Sequence, residues 1–420
     1  MKSKLVLIGN GMAGAKLLEE LMLSCPEQYD ITVFGNEPYG NYNRIMLSPL
    51  LAGEKTLDEI MIFDRPWYDT HGITLHAGED KAITKIDRVH KTVITKDGFE
   101  TPYDKLIIAT GSKPFILPIP GSDLDGVMSF RDVADVEKMI AASDQYKKAV
   151  VIGAGLLGLE AAMGLCNRGM DVTVVHKSAI PLNRQLDKEA GELLKSELEA
   201  KGLKFKMGAN TQELKGEDDH VTAINFTDGT SLETDLVIMA IGIRPNFQLA
   251  LDAGLNCEKG IMVSDTLQTY DPSIYALGEC IQHRGETFGL VAPLYDQAKV
   301  IANHLSEHGV AQYKTLPTAT KLKVTGINLF SVGEFLGDED CEFLFYRDKS
   351  QGIYKKLVLK ENKLVGAVMY GETNEGAFYN ALLDDGLDLT SLRPYLMFGK
   401  ALCQEQAPEF FPEDVTEGAV

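Results

Sequence analysis

KLVLIGNGMAG (residues 4–14) and AVVIGAGLLGLEAA (residues 149–162) decide the fold: each reads as a strand, a glycine-rich turn and the start of a helix. In the spacing GxGxxG the first glycine allows the tight turn, the second lets backbone approach a pyrophosphate, and the third lets the helix pack on the strand. The helix N-terminus then offers unpaired N–H groups and a positive dipole to the phosphates. Such a triplet standing alone also arises for steric reasons. Here each copy follows a strand and opens a helix. The candidate phosphate-binding residues are Gly9, Gly11, Met12, Ala13 and Gly14 in the first loop, and Gly153, Gly155, Leu156, Leu157 and Gly158 in the second.

The two loops open two copies of a loose repeat. Each is followed by a second strand, ITVF (31–34) and VTVV (172–175), and by an extended segment ending in glycine, ITLHAG (73–78) and LKFKMG (203–208). Each closes on a hairpin and a buried strand, with turns at Asp97-Gly98 and Asp228-Gly229. The closing glycine comes 13 residues after the turn glycine in both copies, at Gly111 and at Gly242. Strands alternating with helical segments predict parallel sheets joined by crossover helices. Proline-rich crossings, KPFILPIPG (113–121) and IRPN (243–246), bracket the second copy, which is therefore read as inserted into the first. From about residue 316 the pattern changes to antiparallel strands (TKLKVTGINLFSVGEF, CEFLFYRD, YKKLVLKENKLVGAVMYG) and a helical EGAFYNALLDD. The expected fold class is α/β: two Rossmann-like dinucleotide-binding domains, one inserted in the other, plus a C-terminal α+β domain.

A net charge of −20 speaks against a nucleic-acid partner. No uninterrupted apolar run reaches the length of a membrane span, and the short apolar N-terminus leads straight into the glycine loop, so no cleaved signal is expected. The six cysteines are far apart and form no CxxC, hence no local redox pair and no zinc or iron–sulfur spacing. No metal site is expected, and the chain suits a reducing, cytoplasmic compartment.

Several positions carry the cofactor chemistry. Asn36 and Glu37 stand at the end of the first repeat's second strand, where a side chain can hydrogen-bond a ribose. The equivalent place in the second repeat holds His176 and Lys177. These two are either solvent-exposed loop residues or a basic site that admits a 2′-phosphate, which leaves NADH and NADPH both open as donor. LIIATG, with Ala109, Thr110 and Gly111, ends a buried strand in a small-residue turn where the chain passes close to something. In SIYALGECIQHRG, Glu279 follows Gly278, and its carboxylate can accept from the ribityl hydroxyls of a flavin or belong to an ordinary strand-end turn. GLVAPLYDQAKVIANHL places Pro293, followed by Leu294, where a helix should start. A helix N-terminus aimed at a flavin pyrimidine would stabilise the anion left by reduction. Ala82 and Gly242 complete the candidate cofactor-binding set. Glu160 lies one turn into the second helix and is either a packing carboxylate or part of the site beside the phosphate loop.

Paired GxGxxG loops, ATG and a late glycine–acid motif resemble the FAD- and NAD(P)H-dependent reductases of the glutathione-reductase class. More narrowly, YNRIMLSPLLAGEKT, WYDTHGITLHAG, YALGECIQHRG, GLVAPLYDQA and TKLKVTGINLFSVG resemble the N-terminal diaphorase part of the large subunit of assimilatory NADH-dependent nitrite reductase. The resemblance covers nearly the whole chain, including Glu279 where most relatives have aspartate. It implies that Arg44 and Ser48 help hold FAD and that Glu160, the candidate catalytic residue, lies near the nicotinamide–flavin contact. That enzyme continues into an iron–sulfur segment and a siroheme domain, whereas this sequence stops at residue 420 with neither, so nitrite reduction by this polypeptide unaided is not expected. Disulfide-reductase and NADH-peroxidase relatives need a reactive cysteine facing the flavin. Here none lies between Cys25 and Cys166, and Cys280 is read as a small buried residue.

The domains expected from this reading are an FAD-binding domain over 1–118 and 247–315, an NAD(P)H-binding domain over 119–246 and a C-terminal interface domain over 316–420. The expected activity is hydride transfer from NADH or NADPH to FAD, followed by electron delivery to a redox protein. The acceptor is expected in nitrate or nitrite assimilation, with a rubredoxin- or ferredoxin-type carrier as the alternative. A nucleotide-binding regulatory flavoprotein without turnover is the reading from another class. Oligomeric state, including a homodimer, stays open.

Overall fold

The computed structural model of the chain describes residues 2–306, 308–315 and 319–411. The first repeat supplies β1 (Ser3–Ile8), α1 (Met12–Ser24), β2 (Tyr29–Gly35), β3 (Thr74–Ala77) and β4 (Lys105–Ile108). The second supplies β5 (Lys148–Ile152), α2 (Leu156–Asn167), β6 (Asp171–His176), α3 (Lys188–Ala200), β7 (Lys204–Met207) and β8 (Leu236–Met239). Next come β9 (Ile274–Ala276) and α4 (Val291–Leu305). The C-terminal segment contributes β10 (Thr320–Val324), β11 (Ile327–Gly333), β12 (Glu342–Asp348), β13 (Ile353–Lys360), β14 (Lys363–Tyr370) and α5 (Gly376–Asp385).

The first nucleotide sheet has the order β9-β4-β1-β2-β3 and is parallel throughout. Its central strands read as continuous apolar runs because both faces are covered, and Leu5, Leu7, Ile107 and Ile274 have no exposure. In the second, also five-stranded sheet, the short strand Val127–Met128 lies at the edge beside β8 and the other four run β8-β5-β6-β7, the same order as β4-β1-β2-β3, so the repeat in sequence is a repeat in topology. The two Asp-Gly turns each join antiparallel strands, and Gly98 and Gly229 have φ of +85° and +82°, the left-handed conformation that glycine adopts without steric cost. The two proline-rich crossings pair with each other as an antiparallel ribbon, Lys113 opposite Arg244. The C-terminal sheet, order β10-β11-β14-β13-β12, is antiparallel with α5 on one face.

The chain divides into two compact units: Met1–Pro118, Met128–Gln145 and Met239–Leu316 in one, Ile119–Val127, Tyr146–Ile238 and Pro317–Val420 in the other. These units cut the chain differently from the four expected segments. Residues 128–145 go with the first unit, because Arg131 donates to Glu279 and its carbonyl accepts from Arg44. Residues 239–246 follow, through the ribbon with 112–114. The C-terminal segment has its own apolar core, including Phe330, Leu357, Met369, Tyr379 and Cys403, yet shares a unit with the second nucleotide domain. Part of its expected range, 316–318 and 412–420, lies outside the described residues.

Helix α3 makes part of that attachment. Its N-cap, the buried Asp187, accepts from the Ala190 N–H at 3.1 Å and from the Tyr354 hydroxyl at 2.6 Å. Arg347 grips both oxygens of Glu189 at 2.6 and 2.8 Å, and Tyr370 donates to Glu197 at 2.6 Å. Burial and the Asp187 carboxylate hold the Tyr354 phenol well above its ordinary pKa, so it remains a donor. Tyr354→Phe is therefore expected to destabilise the chain by about 2 kcal/mol, the value of a buried hydrogen bond to a charged partner. Arg347→Ala, on a half-exposed pair, should cost clearly less. Urea-unfolding midpoints of the two variants check the order.

Candidate functional site

The first loop begins where β1 ends. Gly9 has φ +109°, and a Cβ there would lie 2.1 Å from the Ala109 carbonyl oxygen; a Cβ on Gly14 would lie 2.5 Å from the Gly9 carbonyl oxygen. Both glycines serve the protein's own packing of strand, turn and helix. Gly11 differs: a Cβ there meets nothing within 4 Å. The loop is held by the Gly9 N–H to the Phe34 carbonyl (2.8 Å) and by the Ala109 N–H to the Ile8 carbonyl (2.7 Å), so the turn after β4 lies against it. Helix α1 starts at Met12 with Gly11 as N-cap, no side-chain cap and no acidic residue in its first turn. Among the described residues its leading N–H groups at Met12, Ala13 and Gly14 have no side-chain acceptor, which suits an anion. The second loop repeats this: Gly153 has φ +116° and donates to the Val175 carbonyl at 2.8 Å, Gly155 is the uncapped N-cap of α2, and a Cβ on Gly155 also meets nothing within 4 Å. Leu156 is half-buried, Leu157 exposed and Gly158 buried.

Other predicted residues converge on the first loop. A Cβ on Gly278 would lie 3.3 Å from that of Ala13, placing the glycine–acid motif beside the start of α1. Glu279 accepts from Ser112 at 2.8 Å and from Arg131, so in this structure its carboxylate is an ion-pair partner. Thr110 donates to the Asn246 carbonyl at 2.6 Å, and the Asn246 N–H donates to the Gly111 carbonyl at 2.8 Å. Glu37 pairs with Arg44 and accepts from the buried Tyr42 hydroxyl at 2.6 Å, while Asn36 is exposed. Ser48 is half-buried on the short helix Leu47–Ala52, and Ala82 is half-buried after the turn Glu79–Lys81. Pro293 is not the first helical residue as expected. Helix α4 begins two residues earlier at Val291, and Pro293 is tolerated there because first-turn N–H groups lack a helical acceptor in any case. Leu294 is buried.

In the second unit Glu160 lies half-buried on α2. His176 is not a free loop residue: its Nδ1 accepts from the Ala154 N–H at 3.3 Å, and its Nε2 faces Asn183 Oδ1 at 3.1 Å. Lys177 is exposed. Gly242 belongs to the first unit, with φ +121°, and its carbonyl accepts from Phe115.

Sequence reasoning missed Arg131. Its side chain reaches Glu279, its carbonyl accepts from Arg44 at 3.0 Å, and its N–H donates to Asp135 at 2.8 Å. It sits in the loop before the helix Val133–Gln145, in no motif, and only the folded chain brings it to the glycine–acid turn. Cys280 is fully buried, with its Sγ 3.2 Å from the Leu277 carbonyl oxygen, and burial pushes its thiol up to about 11.

Residues 3–302 match the family model for pyridine nucleotide-disulphide oxidoreductases, and 318–387 match that for the C-terminal domain of rubredoxin NAD+ reductase. The chain belongs to the pyridine nucleotide-disulphide oxidoreductase family. It is 48% identical over 389 residues to a nitrite reductase [NAD(P)H] of Bacillus subtilis, covering 93% of this chain and 48% of that protein. It is 45% identical over 374 residues to the assimilatory nitrate reductase electron transfer subunit of the same organism, covering 89% and 48%. The chain thus spans about half the length of these curated relatives. Among solved structures, a ferredoxin reductase from Rhodopseudomonas palustris superposes with a TM-score of 0.85 at 25% identity, covering 97% of this chain and all of that one.

Family membership makes FAD and a reduced pyridine nucleotide the cofactors. The residues present fit them. Each loop has one glycine whose missing Cβ opens onto empty space, each leads into an uncapped helix, and the buried Nε of Arg131 has no hydrogen-bond partner among the described residues. Among the described residues no helix is long and apolar enough to cross a membrane.

Gly11→Ala should leave the fold intact and lower FAD affinity at least tenfold, about 1.4 kcal/mol, whereas Gly14→Ala should compromise folding itself. Flavin content and circular dichroism of both variants check this; wild-type flavin retention by Gly11→Ala would remove the loop from the cofactor site. Because a thiol below its pKa is neutral and unreactive, Cys280 should resist iodoacetamide near neutral pH and react only as pH approaches 11. Mass spectrometry of the alkylated native protein reads it.

Proposed function

We propose that this chain is an electron-transfer flavoprotein reductase that takes hydride from NAD(P)H and passes electrons to a redox protein. The observation that carries the reading is the pair of open glycine faces, Gly11 and Gly155, each at an uncapped helix start in one of two topologically equivalent sheets. One loop for each cofactor is what a two-nucleotide relay needs. Bound FAD supplies the step that converts a two-electron hydride donor into a source of single electrons. The chain's own residues do the rest. Gly9 to Gly14, Ala109 to Gly111, Glu37, Arg44, Ser48, Ala82, Glu279 and Leu294 hold FAD, and the N-terminus of α4 around Pro293 lends positive dipole to its flavin end. Gly153 to Gly158 hold the coenzyme, and Glu160 orients its nicotinamide. No cysteine occupies the segment 26–165, so thiol redox chemistry is not part of the cycle.

For the acceptor, the two Bacillus subtilis relatives named for nitrite and nitrate reduction favour a component of nitrogen-oxyanion assimilation. A small iron–sulfur or rubredoxin-type carrier is the second reading, favoured by the C-terminal match and by the ferredoxin reductase likeness. Unpaired cysteines throughout the described residues suit a cytoplasmic protein. Anaerobic mixing of the FAD-loaded chain with NADH or NADPH should bleach the flavin's visible band within minutes. Failure of both coenzymes would sink the reductase reading, and a flavin-free protein that binds NAD(H) would favour a regulatory role.

A further inference from the structure

Two basic residues that take no part in the site described above meet at one point of the fold. The proline-rich crossings form a two-stranded antiparallel ribbon in which Lys113 stands directly opposite Arg244. The register is pinned on both sides, by the Asn246 N–H to the Gly111 carbonyl at 2.8 Å and by the Phe115 N–H to the Gly242 carbonyl at 2.9 Å. Residues directly opposite in such a pair share a face, with Cβ atoms roughly 5 Å apart, and like charges there are destabilising. Pairing does not relieve the repulsion: both side chains are exposed, and among the described residues neither makes an ion pair or a side-chain hydrogen bond. The chain holds 61 acidic residues, yet none lies between Asp104 and Asp123 or between Asp235 and Asp252, so neither crossing brings a counter-charge with it. The Arg244 guanidinium lies over the Phe115 ring, 4.7 Å from its centroid, which holds the cation in place without neutralising it.

The neighbouring side chains of the ribbon reach the site. Ser112, next to Lys113, donates to Glu279 at 2.8 Å, and a Cβ on Gly289, just ahead of α4, would lie 3.8 Å from Ile243 Cδ1. Successive side chains of a strand point to opposite faces. The ribbon therefore turns Ser112 and Ile243 toward the glycine–acid turn and the start of α4, and turns the two cations to solvent. We propose that Lys113 and Arg244 are the docking point of an acidic redox protein, the electron acceptor of this chain. Charge complementarity selects the occupant. A chain of net charge −20 repels an acidic protein overall, so such a partner is held where cations stand exposed and unneutralised. Arginine and aromatic side chains are the usual anchors of protein interfaces, and the stacking on Phe115 removes conformational freedom before the partner arrives. Docking there leaves one ribbon's thickness between the partner and the glycine–acid turn. The proposal rests on that turn and the first loop holding FAD, and on electrons leaving the flavin for a protein.

The test follows electron transfer from the FAD-loaded full chain, reduced by NADH or NADPH, to an acidic 2Fe–2S ferredoxin and to an acidic rubredoxin, with an uncharged benzoquinone as control acceptor. The rate for the better of the two proteins should fall between about 0.1 and 1 M salt, as the screening length shrinks from about 10 to 3 Å. Repulsion by net charge alone would make it rise. Lys113→Ala and Arg244→Ala should each lower kcat/KM for that protein about threefold, and the double charge reversal Lys113→Glu with Arg244→Glu should lower it more than about tenfold and invert the salt dependence. Flavin reduction by the coenzyme and turnover with the quinone should be unchanged in every variant, which also reports that each one folds and keeps its FAD. A rate that rises with salt, wild-type kcat/KM in the double variant, or transfer to neither protein while the quinone is still reduced overturns the docking point and leaves the flavin chemistry intact. Slower flavin reduction in the variants would assign the pair to the coenzyme and overturn the docking point as well. A wild-type flavin that neither coenzyme reduces overturns the reductase reading, and the docking point with it.

Discussion

The corner at which β1 turns into α1 is the constraint on which the rest of the molecule depends. There the backbone of Gly9 passes so close to Ala109 that no side chain fits, and Gly14 lies nearly as close to Gly9. This approach brings the ends of two adjacent strands and the start of a helix to one point. Among the described residues no side chain caps the start of that helix, whose first N–H groups have no acceptor within the helix itself. An anion-binding cradle follows from packing, and the glycine-rich sequence follows from the need to pack without Cβ atoms. The second repeat builds the same kind of corner at Gly153.

Around the first corner, charge is arranged in pairs that hold segments remote in sequence. Arg44 bridges Glu37 and the Arg131 carbonyl, and Arg131 in turn reaches Glu279 beside Ser112. Four stretches of chain are joined through two guanidinium groups, whose planar, multiply donating geometry suits such crossings. These half-buried pairs add modestly to stability. What they do is bring the connection at 128–145 to the glycine–acid turn, which explains why that connection belongs to the first unit although it leads into the second nucleotide domain.

Much of this was legible in the sequence. The two loops, the Asp-Gly hairpins and the glycines closing each repeat show up because glycine and turn chemistry are local: a positive φ or a close approach demands the same residue whatever surrounds it. The antiparallel C-terminal strands were readable for a similar reason, the alternation of side chains along each strand. Arg131 was not readable, since nothing about an arginine in a loop says which carboxylate it will meet 148 positions on. The start of α4 was misjudged by two residues, because proline is accepted throughout the first turn and so marks the helix start only loosely.

His176 shows the division most clearly. As a letter at the end of a strand it was either an idle loop residue or a basic ligand, and the spacing of neighbouring residues could not choose. The fold turns it into a crosslink between the phosphate loop and the segment carrying Asn183 and Arg184. The sequence by itself determined that two dinucleotide-type corners exist, one nested in the other, because backbone conformation at glycine turns is a property of short stretches. Only the tertiary structure decided which charges are spent on one another and which remain available to a ligand. Ion pairing depends on proximity in space, which the chain acquires only on folding.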